Sequence, residues 1–151
     1  MENRYFYSTE VEWTGERRGD LRAPVLPSIH VDAPPEFKGH EGAWTPEHLF
    51  VASVNSCFMT TFLAIAENSK LEFTSFVCRA VGKLDSVEGK PLMTEIALQP
   101  EVTIANANQE ELAIRVLQKS EKACLISSSI KTKVIMTPAV HQVHQLISQE
   151  N

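Results

Sequence analysis

Hydrophobic residues concentrate between Trp44 and Glu67, in the stretch WTPEHLFVASVNSCFMTTFLAIAE. Leu49, Phe50, Val51, Val54, Phe58, Met59, Phe62, Leu63 and Ile65 fall on almost every side of a helical wheel, so the pattern predicts one long helix with no polar face. Such a helix is normally buried at the centre of a domain or at a subunit interface. Thr45 suits the N-cap, Pro46 the first helical position, and Glu47 puts negative charge in the first turn. Ser53, Asn55, Ser56, Cys57, Thr60 and Thr61 interrupt the apolar run, which makes it a good core helix and a poor membrane span.

Elsewhere the pattern alternates. Residues 4 to 13 (RYFYSTEVEW) and 28 to 33 (SIHVDA) predict strands, separated by a turn-like segment carrying Arg17, Arg18 and Arg22. The sequence PPEFKGHEG predicts an ordered loop leading into the helix. Residues 71 to 84 and 92 to 104 predict a hairpin of long strands joined at SVEGK. In the second strand Leu92, Thr94, Ile96, Leu98, Val102 and Ile104 share one face, and Pro100 points to an edge or a bulge. Asn108 is the expected cap of a helix running to about Ala123, with Leu112, Ala113, Val116, Leu117 and Ser120 inward. Residues 130 to 136 predict a last strand, and the remainder, with Pro138, His141 and His144, a polar tail or weak helix.

At 151 residues the chain is expected to form a single domain spanning 1–151. A net charge of -5 argues against nucleic-acid binding. No N-terminal stretch joins a basic start to an apolar run, so a cytoplasmic protein without a signal peptide or membrane attachment is expected. Cys57, Cys78 and Cys124 are odd in number and widely spaced, which fits neither a secreted disulfide framework nor a zinc site. Cys78, in strand pattern, reads as packing. His141 and His144 have metal-like spacing but no carboxylate or cysteine neighbours, so no metal is expected.

The helix segment TPEHLFVASVNSCF and the later SEKACLISSSI closely resemble the two signatures of the OsmC/Ohr family, the osmotically inducible and organic-hydroperoxide-resistance proteins. The likeness extends over nearly the whole chain. It implies an α+β fold with antiparallel sheets packed around a long central helix, assembled as an intertwined homodimer with its sites at the subunit interface. It also implies thiol-dependent reduction of organic hydroperoxides, and more weakly of hydrogen peroxide, without metal, haem or flavin. By the same resemblance Cys57 matches the attacking cysteine, Cys124 the resolving cysteine and Glu47 the acidic partner, with Arg17, or next Arg18, as the arginine. Electrons would come from an external dithiol, a lipoyl group or a small thiol. Leu125 stands where the strict hydroperoxide-resistance branch carries proline, which places the chain with the OsmC-like relatives.

The chemistry sets requirements of its own. Peroxide reduction needs a thiolate, and burial disfavours one. Cys57 lies mid-helix, beyond help from that helix's N-terminus, so an arginine held by a carboxylate is the expected remedy. Phe37, Trp44 and Phe58, with Arg18, are candidates to line an alkyl hydroperoxide site. Ten residues separate Glu47 from Cys57, roughly 15 Å along a straight helix. Either the helix breaks near residue 50, or Glu47 acts across a dimer interface or steers a mobile arginine; a shared interface is favoured. Two rival classes remain: a dimeric module that binds a small ligand or senses redox state, and a cysteine hydrolase, which would need a histidine base beside Cys57.

Overall fold

In the computed structural model, which describes residues 3 to 143, the aromatic N-terminal run forms less strand than its composition suggests. Pairing begins only at Glu10, and Tyr5, Phe6 and Tyr7 are exposed, with no strand beside them among the described residues. The chain divides into two compact units, Met1–Phe50 and Val51–Asn151.

The first unit holds an antiparallel sheet of β1 (Glu10–Gly15), β2 (Arg18–Arg22) and β3 (Ile29–Asp32), in that order. The arginine segment expected as a turn is therefore mostly strand. Gly15 and Glu16 adopt positive φ (134° and 49°), which closes the hairpin around Glu16 and Arg17. The PPEFKGHEG loop folds back on β3. Pro35–Phe37 make a 3-10 turn, and the Gly39 N–H reaches the Pro34 carbonyl at 3.1 Å. A Cβ on Gly39 would lie 1.5 Å from the Ala33 carbonyl oxygen, so only glycine fits there. The Asp32 N–H then donates to the Trp44 carbonyl (3.0 Å), fixing the chain just ahead of the helix.

Helix α1 (Pro46–Asn68) is unbroken. Thr45 caps it as expected, its hydroxyl accepting from the His48 N–H at 3.1 Å. By length and composition α1 could cross a membrane, but it carries polar side chains that hydrogen-bond within the protein. Asn55, for one, donates to the Cys78 carbonyl of the second unit's sheet at 3.0 Å.

In that sheet β4 (Ser75–Val87) and β5 (Lys90–Ile104) form the expected hairpin; β4 begins later than anticipated, and both strands run closer to the turn, with only Glu88 and Gly89 left between them. A 3-10 turn, Ala107–Gln109, precedes α2 (Glu110–Ala123); Asn106, not Asn108, provides the side-chain cap, accepting from the Asn108 N–H. Then follow α3 (Leu125–Ser128), β6 (Lys133–Met136) and β7 (Ala139–Gln142).

Three expectations are corrected here. The sheet is not wholly antiparallel: β6 and β7 run parallel to β5, because the chain returns to it through α2 and α3 rather than by a hairpin. Residues 139–142, expected as tail or weak helix, form strand β7; His144 lies outside the described residues. Pro100 is buried in a central strand, not at an edge. It falls between the stretch paired with β6 and the stretch paired with β7, where the interrupted ladder tolerates a missing N–H.

One stripe of α1, Val54, Phe58, Phe62 and Ala66, is fully buried, one turn apart each time. Ile96, Leu98, Val102 and Ile104 of β5 are buried as well, and Ala113, Val116 and Leu117 of α2 complete the core. Other apolar residues of α1, including Met59 and Leu63, stay substantially exposed in the single chain. At Gly82 of β4 the helix comes very close: an added Cβ would lie 2.4 Å from Val51 Cγ2 and 2.7 Å from Met93 Cε. Gly82→Ala is therefore expected to cost about 1–3 kcal/mol, by overpacking, in a denaturant titration.

Candidate active site

Cys57 and Thr61 lie one turn apart on α1, beside the buried Phe58 and Phe62. Opposite them is the turn in which α2 ends and α3 begins. Cys124, the C-cap of α2, is almost wholly buried, and Leu125 opens α3. Two serines hold this turn: Ser128 returns both its N–H (3.1 Å) and its hydroxyl (2.9 Å) to the Cys124 carbonyl, and Ser129 its hydroxyl to the Leu125 carbonyl (2.8 Å). The turn's first N–H groups have no partners within so short a helix and are free to face outward.

They face the Cys57 sulfur. Burial pushes the Cys57 thiol up, but hydrogen bonds from the Ile126 N–H, the Cys124 thiol, the Thr61 hydroxyl and the Leu125 N–H together bring it below the ordinary cysteine value. These donors all belong to the second unit. The expectation that a mid-helix cysteine gains nothing from a helix N-terminus is thus corrected: another helix's first amides supply what α1 does not. Cys57 and Cys124, both free thiols, are within hydrogen-bonding reach of one another.

Cys78 differs in kind. Burial pushes its thiol up to about 11, only partly opposed by a backbone hydrogen bond from Gln99. The two shifts have opposite signs, so the two thiols separate in a pH titration. Cys57 should be alkylated by iodoacetamide at a pH below that of an ordinary thiol, and Cys78 only as pH approaches about 11. Peptide mass mapping across pH checks this; equal labelling at neutral pH would contradict it.

The remaining sequence-predicted residues lie in the first unit, apart from Phe58. Arg18 is engaged: its Nε is 3.5 Å from the buried Asp32 carboxylate, and its guanidinium is 3.8 Å from Glu16. Arg22 is shared among Glu10, Glu12 and Asp20, each at 3.5 Å. Arg17, exposed at the hairpin tip, forms no ion pair among the described residues. Glu47 stands in the first turn of α1, and its Oε2 is buried without a hydrogen-bond partner among the described residues. Phe37 and Trp44 are about half exposed. Phe58 is corrected: it is fully buried and stacked on Phe76 (6.2 Å between ring centroids), so it is core and cannot line a substrate wall in this conformation.

The sequence reading missed the Asp32 clamp on the loop before α1. Burial pushes the Asp32 carboxyl up, yet the His40 ring (3.0 Å) and N–H (3.2 Å), with the Ala33 N–H, hold it below the usual carboxylate range. Among the described residues no group of three or more His, Cys, Asp or Glu side chains is arranged to hold a metal. Neither the Leu125 and Ile126 amides nor Thr61 figured among the expected site residues. Thr61 could have been found from its spacing to Cys57; the amides could not.

A model described as OsmC-like protein matches residues 39–138. Uncharacterized protein YmaD of Bacillus subtilis (strain 168) is 24% identical over 139 residues, which covers 89% of this chain and 91% of YmaD. Among solved structures, an OsmC-like protein of unknown function from Vibrio cholerae matches with a TM-score of 0.82 at 24% identity, covering 89% of this chain and 99% of its own. An organic hydroperoxide resistance protein OsmC from Legionella pneumophila gives 0.72 at 23%, covering 93% and 99%. The organic hydroperoxide resistance protein OhrB of Bacillus subtilis gives 0.65 at 17%, covering 90% and 98%. At these identities the likenesses speak for the fold, and the α+β architecture is the one these proteins share.

Proposed function

Because the chain belongs to the OsmC-like protein family, we propose that it is a thiol-dependent peroxidase that reduces organic hydroperoxides through Cys57 and Cys124. The observation that carries this reading is the meeting of two thiols from distant parts of the chain, one of them favoured as a thiolate by surrounding donors. In the first step the Cys57 thiolate attacks the outer oxygen of R–O–O–H. The S–O bond forms, the O–O bond breaks, R–O⁻ leaves to take a proton from water, and the sulfur becomes sulfenic acid. Next the Cys124 sulfur attacks the Cys57 sulfur, forming the disulfide and releasing water. An external dithiol, a lipoyl group or a small thiol, then returns two electrons and two protons and is itself oxidised to a disulfide.

The arginine and the carboxylate enter as proposals. Arg17 carries a permanent charge and no ion pair among the described residues, which leaves it available to a peroxide or a thiolate. The unmet Glu47 Oε2 is the kind of acceptor that a guanidinium satisfies in a two-pronged contact. Since α1 is unbroken, Glu47 would act across an interface between two copies or through a mobile arginine, not along its own helix to Cys57. The exposed apolar residues of α1, together with Tyr5, Phe6 and Tyr7, support a homodimer that covers them. Phe37 and Trp44 remain candidate walls for the alkyl group, and the cytoplasm is the proposed compartment, where reducing thiols are available.

The test is turnover. With cumene hydroperoxide and excess dihydrolipoamide, peroxide consumption should continue well beyond one equivalent per chain. A stall at one equivalent would contradict the enzyme and favour a redox sensor on the same fold.

A further inference from the structure

Glu16 occupies a backbone position that suits few side chains. Its φ of 49° lies in the left-handed region, which glycine and asparagine enter readily and other residues only at a cost. A glutamate kept there calls for something its carboxylate does, and the contacts within the first unit supply it. Glu16 Oε2 is 3.1 Å from His40 Nε2 and 3.8 Å from the Arg18 guanidinium. The buried Asp32 takes the same two partners: its Oδ2 is 3.0 Å from His40 Nδ1 and 3.5 Å from Arg18 Nε. Arg18 and His40 thus each bridge the two carboxylates, and four side chains close a circuit. It ties the tip of the β1–β2 hairpin to the end of β3 and to the loop before α1. The Trp13 indole N–H, donating to the Glu16 carbonyl at 3.0 Å, holds this residue as well. Arg17 lies between two members of the circuit and is itself exposed, with no ion pair among the described residues.

We propose that His40 and Glu16 are positioning residues: the His40 imidazolium, seated on Asp32, latches Glu16 and so fixes how the hairpin tip presents Arg17, and the latch loosens as the imidazolium loses its proton. The charge follows from the geometry. A carboxylate oxygen only accepts, so a ring nitrogen about 3 Å from one carries a proton, and both His40 nitrogens face carboxylates. A neutral imidazole has one N–H and serves one of the two. Asp32, 2% exposed, has no water to replace a lost donor, whereas Glu16, 64% exposed, does; the contact to Glu16 is therefore the one given up. The latch holds at lower pH and opens as pH rises through the range in which imidazoles discharge, roughly pH 5–8. The charged groups that face His40 are Glu16 from the hairpin, Arg18 from β2 and Asp32 from β3. Glu41 of its own loop and His30 of β3, itself bound to Asp20 at 2.6 Å, line the same cavity of about 270 Å³.

The role given to Arg17 rests on the peroxidase reading and the latch does not, so two readouts separate them. The first is the initial rate of trypsin cleavage after Arg17, read by peptide mass mapping, at about pH 6 and pH 8.5, near the two ends of the imidazole range. Comparing His40→Gln with wild type at one pH removes trypsin's own pH dependence. At pH 6 the variant should be cut roughly two- to fivefold faster, the worth of partly exposed ion pairs. At pH 8.5 the two should match, because the wild-type latch is then open. In a Glu16→Gln background the same change at His40 should have no effect at either pH. The second readout is cumene hydroperoxide turnover with excess dihydrolipoamide: kcat/KM of His40→Gln should fall by a similar factor at pH 6 and equal wild type at pH 8.5. Equal cleavage at pH 6 overturns the latch. So does an excess of the same size at both pH values, which a merely structural histidine gives, or one that persists in the Glu16→Gln background. A pH-dependent cleavage difference with unchanged turnover in an active enzyme overturns the positioning of Arg17. If wild type turns over no peroxide, the peroxidase reading falls and the cleavage rates alone decide the latch.

Discussion

Replacing Cys57 by serine is expected to remove hydroperoxide turnover almost completely, by roughly 10⁴-fold or more, the scale on which loss of a covalent nucleophile acts. A serine hydroxyl in the same cradle of amides cannot ionise near neutral pH and is a far weaker nucleophile than a thiolate. Cys124→Ser should behave differently. The first attack needs only the Cys57 thiolate, so one equivalent of peroxide should still be consumed and Cys57 should stop at the sulfenic acid. Turnover with a dithiol should then slow sharply, because no internal disulfide forms. The serine hydroxyl at position 124 can still donate to the Cys57 sulfur, so the single turnover should stay near the wild-type rate at neutral pH. Stopped-flow measurement of peroxide loss, with wild type, Cys57→Ser and Cys124→Ser side by side, checks all three statements. Full activity in Cys57→Ser would end the redox assignment.

The largest structural effect is expected at Phe62. Its ring is fully buried and stacks on Phe76 (4.6 Å between centroids) while meeting Phe73 edge-on (5.2 Å); Phe58 adds a further stack on Phe76 at 6.2 Å. Four rings thus fasten α1 to the start of β4. Phe62→Ala should cost about 3–5 kcal/mol through lost burial and the cavity left behind, lowering the melting temperature by roughly 10 °C or more. The loss should also reach the site, because Phe62 follows Thr61 and fixes the face of α1 that Cys57 presents. Calorimetry at one protein concentration checks the first effect; a change below about 1 kcal/mol would contradict the packing described.

The long helix, its cap at Thr45 and the inward face of β5 from Ile96 to Ile104 were readable because period and burial agree there. The return of the chain was not. Parallel pairing of β6 and β7 depends on a crossover, and nothing in the four residues Ala139–Gln142 distinguishes a strand from a tail until β5 lies beside them. Pro100 misled for the same reason: a proline's tolerance is set by the neighbouring strands and not by its own. Phe58 is a candidate substrate wall by its apolar ring, but the structure makes it core. Consecutive residues on a helix point about 100° apart, so Phe58 faces the sheet while Cys57 faces the α2–α3 turn. The two cysteines were legible as residues, but the donors around Cys57 were not. Backbone N–H groups carry no side-chain signature, and only the fold brings Leu125 and Ile126 to that sulfur.

The most direct test of the two-thiol account is the product of a single oxidation. The reduced protein is treated with one equivalent of cumene hydroperoxide, quenched in acid with an alkylating agent, digested and mapped by mass. The account predicts a peptide pair joined through Cys57 and Cys124, with Cys78 recovered as the alkylated free thiol. Recovery of Cys57 and Cys124 both unoxidised, or a disulfide that includes Cys78, would contradict it.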